Sequence, residues 1–365
     1  TAGDEIKFSD YARTWGTNKI VINSNGLKYQ GETDVFIVEY NTAGQNLSIV
    51  YSGATKGWIP FLDKEVTNVP VAPPVQKGII AFGYKAGGID NLSNLISSSG
   101  VVATDTTGVG TARQYAASSN YGGDKAIYGY GKTTTEVSMT NLVSNSGVVS
   151  SDVTGVGSNR RMLAAAPYGV GKAIFGYGWV SANSSLVNLI SSSGVASADV
   201  TGVGTARVQP GSAGYGTDKA IFAFGWVTTH VSLKNLVSNV GVVAADVTGV
   251  GTTRYAMAAA PYGTDKAIFG YGDGAGAGYL SMTNLVNNVG VVASDVSGVG
   301  TARASLAACG YGGDKAIFLH GYDGSGTPIV SMSNLVNNLG VVAADVTGVG
   351  TPRNELSGAN FSYSA

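Results

Sequence analysis

The stretch "NLVNNVGVVASDVSGVGTAR" (residues 284–303) decides how this chain is read, because near-copies of it recur six times. Taking the lysine before each short apolar stretch as a marker, Lys77, Lys125, Lys172, Lys219, Lys266 and Lys315 follow one another at 48, 47, 47, 47 and 49 residues. A period near 47 is the mark of a repeat architecture. Each copy contains an Ala-rich stretch led by Arg ("RYAMAAAPYG", 254–263), an apolar stretch ("KAIFGYG", 266–272) and a variable loop. It closes with "SMTNLVNNVGVV" (281–292) and "ASDVSGVGTAR" (293–303). No helical period is sustained, and the Gly-Tyr-Gly and Gly-Val-Gly triplets would interrupt a helix.

Four short strands in about 47 residues match one propeller blade, whereas a β-solenoid coil needs about half that length. The expectation is an all-β fold: a six-bladed β-propeller of four-stranded blades over residues 77–365, joined to a small N-terminal antiparallel β domain. The ends indicate how the ring closes. The first copy starts at "KGIIAFGY" (77–84) without its Arg-led strand, and the last is followed by a surplus "TPRNELSGANFSYSA" (351–365) that can supply it. Closure removes the open sheet edges that invite aggregation.

Composition narrows the function. The 365 residues include 54 glycines and nine prolines with 44% hydrophobic residues, which fits a turn-rich folded chain. Charged residues make up 12% and the formal net charge is −1, so no basic field exists to hold a phosphate backbone, and no nucleic-acid partner is expected. No apolar run reaches the 18 residues of a membrane span, so no membrane insertion is expected. With Thr1 as the first residue, a processed or partial chain is expected. The single cysteine, Cys309, excludes an intrachain disulfide and a Cys-based metal cage, and reads as a small buried residue in an alanine position.

The Arg-led strand, the apolar strand ending in glycine and the blade length resemble kelch repeats over residues 77–365. Kelch blades carry a Gly-Gly doublet and a spaced Tyr and Trp. Here Gly-Tyr-Gly or Phe-Gly stands in that place, without such a Trp.

Residues 1–65 are a different text. Alternation in "NKIVINS" (18–24), "DVFIVEY" (34–40) and "NLSIVYSG" (46–53) predicts a small antiparallel β unit, and Pro70, Pro73 and Pro74 make residues 66–76 a semi-rigid linker. "GDEIKFSDYARTW" (3–15), "NGLKYQG" (25–31) and "LSIVYSGATKGW" (47–58) resemble a module of bacteriophage tail-fibre and virion-appendage proteins. That resemblance implies a trimeric β structure, attachment to other virion proteins and a place on the virion surface. A unit of about 60 residues is marginal alone, which also favours burial against sister chains.

Recurrent polar residues read as scaffold: Asp105, Asp152, Asp199, Asp246, Asp295 and Asp345; Arg113, Arg161, Arg207, Arg254, Arg303 and Arg353; and the Asn of each "NL" pair. A catalytic pair is needed once, whereas a residue that ties a turn is needed in every copy. "TGVGTAR" is followed by no helix that would present amides to a phosphate. His230 and His320 lie at non-equivalent positions without Cys, and "DGAGAG" and "DGSGTP" lack the acidic density of a calcium loop, so no metal and no cofactor are expected.

The copies disagree after the "FGYG" strand, where they read "KAGGID", "KTTTEV", "WVSANS", "WVTTHV", "DGAGAGYL" and "DGSGTPIV". Equivalent propeller loops share one face, so this face is the expected recognition surface. Trp179 and Trp226 hold one register in consecutive copies and are expected to form an aromatic platform for a sugar ring, with His230, Lys132, Glu136, Tyr279 and Asp323 nearby. The expected function is non-enzymatic: a homotrimeric bacteriophage surface appendage whose propeller heads bind a bacterial surface glycan or receptor. A structural capsid decoration or head-fibre protein is the alternative, followed by a propeller glycan hydrolase or lyase.

Overall fold

The computed structural model describes residues 1–32, 37–61 and 76–362. The chain divides into two compact units, Thr1–Pro73 and Pro74–Ala365. Both are all-β, built from small antiparallel sheets without a helix among the described residues. Apart from Gln76, the expected linker at 66–76 lies outside the described residues, as does the start of "DVFIVEY".

In the first unit, Glu5–Ser9, Asn46–Tyr51 and Trp58–Phe61 form a three-stranded sheet with the second of these in the middle, and Ile20–Asn23 pairs with Ile37–Tyr40. Its core is small: Tyr29, Leu47 and Ile49 are buried, with Phe8, Ile22, Val38, Tyr40 and Trp58 packed around them. The buried Asp10 carboxylate accepts from the backbone N–H groups of Thr14, Trp15 and Gly44, tying two turns together.

In the second unit each copy gives a three-stranded sheet with its Lys-led strand in the middle. In the fifth, Lys266–Gly270 lies between Ala258–Tyr262 and Thr283–Val286. The first sheet is composite: the C-terminal Ser357–Phe361 pairs with Lys77–Ala81, which pairs with Ser93–Ile96. The surplus C-terminal residues thus take the place the first copy leaves open.

The main sheet of each copy has three strands where four were expected; the first and fifth copies add two-residue ladders, Tyr84–Lys85 with Gly88–Ile89, and Asp273–Gly274 between Arg254–Tyr255 and Gly278–Tyr279. In the second copy Thr140 and Val143 bridge Val153 and Val149, so three steps on one side face four on the other. The extra residue makes a bulge that breaks the ladder. Asn141 fills the break, its side-chain amide donating to Ser150 O at 3.0 Å and to Asp152 Oδ1 at 2.9 Å. The same Asn–Asp bond recurs in the other five copies.

The core lies between sheets. Six apolar clusters each join two successive sheets, and the one containing Ile80, Ile96, Cys309, Ile317 and Leu319 joins the last to the first. Along the inner side the Ala-rich strands pack one beside the next, and Ser357–Phe361 packs beside both Ala307–Tyr311 and Ala117–Tyr121. Small residues suit such close approach: a Cβ on Gly358 would lie 2.7 Å from Ala308 O of the neighbouring strand.

The recurrent arginine is scaffold, with one correction. The completely buried member in the third copy is Arg160 and not Arg161. Arg113 shows the common pattern, donating from Nε to Tyr130 O at 2.8 Å and from Nη2 to Asn141 Oδ1 at 2.6 Å. Its guanidinium also lies 4.0 Å over the ring of Phe82 in the preceding sheet. Burial brings Arg113 down to about 10. Arg353 makes the matching bond to Asn94, between the end of the chain and its first repeat.

Candidate functional site

Three sets of equivalent residues, each with one member per sheet, build the candidate site of the second unit. The innermost are Tyr115, Met162, Gln209, Ala256, Ser305 and Glu355, one per sheet, all with positive φ between 46° and 56°. Left-handed backbone costs a non-glycine residue of order 1–3 kcal/mol and persists only when the surroundings hold it. Here a head-to-tail series of backbone bonds does so. Met162 N donates to Tyr115 O, Gln209 N to Met162 O, Ser305 N to Ala256 O, Glu355 N to Ser305 O and Tyr115 N to Glu355 O, at 2.7–3.2 Å. Backbone geometry is thus conserved from copy to copy while the side chains all differ.

The next set out is Gln114, Arg161, Val208, Tyr255, Ala304 and Asn354. Each pairs with the residue that follows the "FGYG" glycine in its own sheet: Lys132, Trp179, Trp226, Asp273, Tyr322 and Tyr84. The glycine is required at this crossing. Gly178 has φ 99°, and a Cβ there would lie 2.6 Å from Arg161 O.

Two clefts open between these sets. The first, about 250 Å3, is lined by Trp179, Trp226, Arg161, Met162, Val208, Gln209 and Tyr255. The second, about 320 Å3, is lined by Tyr115, Tyr255, Tyr279, Tyr322, Asp273, Asn354 and Glu355 together with Met162, Gln209, Ala256, Ala304 and Ser305. Inward of the innermost set lies a central space of about 130 Å3, walled mainly by Ala, Gly, Ser and Leu of the inner strands.

Trp179 and Trp226 therefore share one cleft. His230 pairs in register with Trp226 and packs edge-on against Tyr255 with ring centroids 5.1 Å apart. Tyr279 meets Tyr322 at 5.7 Å in the second cleft. Glu136 holds Arg161 Nη1 at 3.4 Å. Lys132 is backbone-bonded to Gln114 and, with Arg161, opposes the upward shift that burial gives the Glu355 carboxyl. The Tyr115 hydroxyl donates to Glu355 Oε1 at 2.5 Å. Asp323 is occupied elsewhere: its carboxylate accepts from Ser325 N at 2.9 Å and its N–H donates to Pro328 O at 2.9 Å, which makes it a turn residue outside both cleft linings.

Sequence reasoning missed Arg161, Tyr255, Tyr322 and the innermost set. Arg161 had a visible signal in the doublet Arg160–Arg161, where the other copies carry one arginine. The scaffold uses Arg160, and its neighbour projects into the cleft with its guanidinium 5.9 Å from the Trp179 ring. Tyr322 was hidden by a one-residue slip in the last loop, since Tyr322 and not Asp323 is the equivalent of Trp179.

No protein-family model matches the chain, and no curated protein matches it.

Proposed function

We propose that the second unit is a closed six-bladed, kelch-like propeller whose uneven face binds a bacterial surface saccharide without transforming it. The cyclic succession of apolar clusters, the composite first sheet and the Arg353–Asn94 bond support six blades in a ring. The observation that carries the binding assignment is the shared cleft of Trp179 and Trp226, walled by Arg161 and Tyr255. Flat aromatic faces stack on the C–H faces of a sugar ring, while Arg, Gln and Tyr supply donors and acceptors for its hydroxyls.

The first unit fits the role of an oligomerisation and attachment module of a virion appendage. Tyr11 and Val21 are more than half exposed, and Ile6 and Phe61 more than a third, on a unit whose own core is slight. Three heads on one trimer would multiply a modest single-site affinity.

A second reading, saccharide hydrolysis, is favoured by Asp273 and Glu355 in one cleft, with the Glu355 carboxyl raised by burial as a general acid would need. One experiment separates the two. The full chain is applied to an array of bacterial surface polysaccharides, the bound glycans are assayed for release of reducing ends, and the native mass is measured. Binding by a trimer without release supports the adhesive head. Release of reducing ends transfers the assignment to the hydrolase, and failure to bind any glycan removes both.

A further inference from the structure

We infer that the ligand of this face is an extended saccharide chain that fills both clefts at once and crosses Tyr255 between them; this rests on the saccharide-binding reading above. The clefts are contiguous, because Met162, Gln209 and Tyr255 belong to the walls of both. Tyr255 is the ridge. Its ring packs against His230, the register partner of Trp226 of the first cleft, and its backbone pairs in register with Asp273 of the second.

Size argues for a chain. Pockets that enclose a whole small ligand run from about 300 to 1,000 Å3, and the clefts, at about 250 and 320 Å3, each reach no further than the lower end of that range. Each suits a sugar unit or two, and the pair suits a short oligomer. The chain must also lie across the end of the unit and not thread inward, since the central space is about 130 Å3 and its walls are the closely packed inner strands.

The polar groups differ along the path. Arg161 stands at the tryptophan end, with Nη1 paired with Glu136 and its buried Nε without a hydrogen-bond partner. Asp273 and Glu355 stand at the tyrosine end, beside Tyr279 and Tyr322. A chain read by both ends would be held in one direction, with its hydroxyl-acceptor groups at the Arg161 end and its donor groups at the carboxylate end.

The probe is a set of mild-acid fragments of bacterial surface polysaccharide, fractionated from one sugar unit to about six, titrated against the full chain. Affinity is expected to rise by about tenfold or more between one unit and about four, and then to level off. The variants Trp226→Ala and Tyr322→Ala, placed in different clefts, are each expected to weaken the longest fragments by at least about fivefold. Single units should respond to only one of them. Affinity that is already maximal at one unit, or long fragments indifferent to one of the two variants, overturns the two-cleft path while leaving saccharide binding intact. Fragments of every length failing to bind would instead overturn the saccharide reading itself. The length series on the unmodified protein decides the matter even if a variant folds poorly.

Discussion

Cys309 and Gly78 meet at the join between the last repeat and the first, where a Cβ on Gly78 would lie 2.4 Å from the Cys309 sulfur. In the other five repeats the residue after the marker lysine is alanine, at Ala126, Ala173, Ala220, Ala267 and Ala316. The position of Cys309 is held by Ser119 or by Ala166, Ala213, Ala260 and Ala359. A larger residue on one side of this join is thus matched by a smaller one on the other.

Gly78→Ala alone is expected to destabilise the protein by about 1–3 kcal/mol through overpacking. In a Cys309→Ala background the same change should become neutral or stabilising, because the sulfur is gone and alanine restricts the unfolded chain. Denaturant midpoints of the four proteins measure this coupling. An unchanged cost of Gly78→Ala in the Cys309→Ala protein would show that the two side chains do not compete for the same space.

The C-terminal strand completes the first sheet, and Phe361 is 1% exposed in the cluster with Ile79, Tyr128 and Val143. Phe361→Ala should cost about 3–5 kcal/mol. Ending the chain at residue 352 should lower the melting temperature further and expose the edge of Lys77–Ala81 to aggregation. A truncated protein that melts within about one degree of the full chain would contradict this role, since in domains of this size 1 kcal/mol moves the midpoint by about 2–4 °C.

His320 occupies the position that the other repeats give to Phe82, Tyr130, Tyr177, Phe224 and Tyr271. It is wholly buried with neither ring nitrogen partnered. Burial, and then the positive charge of Arg353, bring its pKa down to about 3; Arg303 adds to this and Asp105 opposes it. A depressed histidine is neutral when folded and takes up its proton only on unfolding. Stability is therefore expected to fall as pH drops below about 6.5, by up to about 1.4 kcal/mol per pH unit, until pH nears the folded value. The six Asp–Thr/Ser ties, whose pKa values are lowered, lose their contribution only below about 4, and the buried Glu355 carboxyl, whose pKa is raised, gains stability as pH falls, so the loss of stability above about 4 is assigned to His320. Urea melts at pH 7 and 5 should differ for the parent and converge for His320→Phe. An undiminished pH slope in that variant would assign the effect elsewhere.

The arginine doublet separates scaffold from site. Arg160→Ala removes a fully buried cation that donates to Leu186 O and Asn188, and should cost about 3–5 kcal/mol. Arg161→Ala breaks a partly exposed pair with Glu136 and removes a distant contact with the Trp179 ring, and should change stability by less than about 1 kcal/mol while weakening saccharide binding. Thermal melts and binding titrations on both variants check the assignment. Loss of fold in the Arg161 variant, or its full retention of binding, would refute it.

Much of the fold was legible because a period of about 47 residues repeats every turn glycine and every strand. The fourth strand misled because "GVVASD" alternates well enough to be extended, yet the bulge that admits the Asn141 side chain is invisible without its partner Asp152 in space. Trp179 and Trp226 were found because equal register in consecutive repeats brings residues together. Arg161 was merged into the scaffold set because eight and nine residues from an aspartate look alike when only spacing is counted. The innermost set could not be read from sequence: nothing in Tyr115, Met162 or Gln209 announces a left-handed backbone, which here is imposed by the neighbouring copies.

The most direct measurement is equilibrium binding of bacterial surface polysaccharide to the parent and to the double variant Trp179→Ala, Trp226→Ala, with melting curves to show that both are folded. Two aromatic stacking partners at about 0.5–1.5 kcal/mol each correspond to a loss between about fivefold and about a hundredfold. The expected result is that loss with an unchanged native mass. Equal affinity in the two folded proteins would contradict the assignment of this face as the saccharide site.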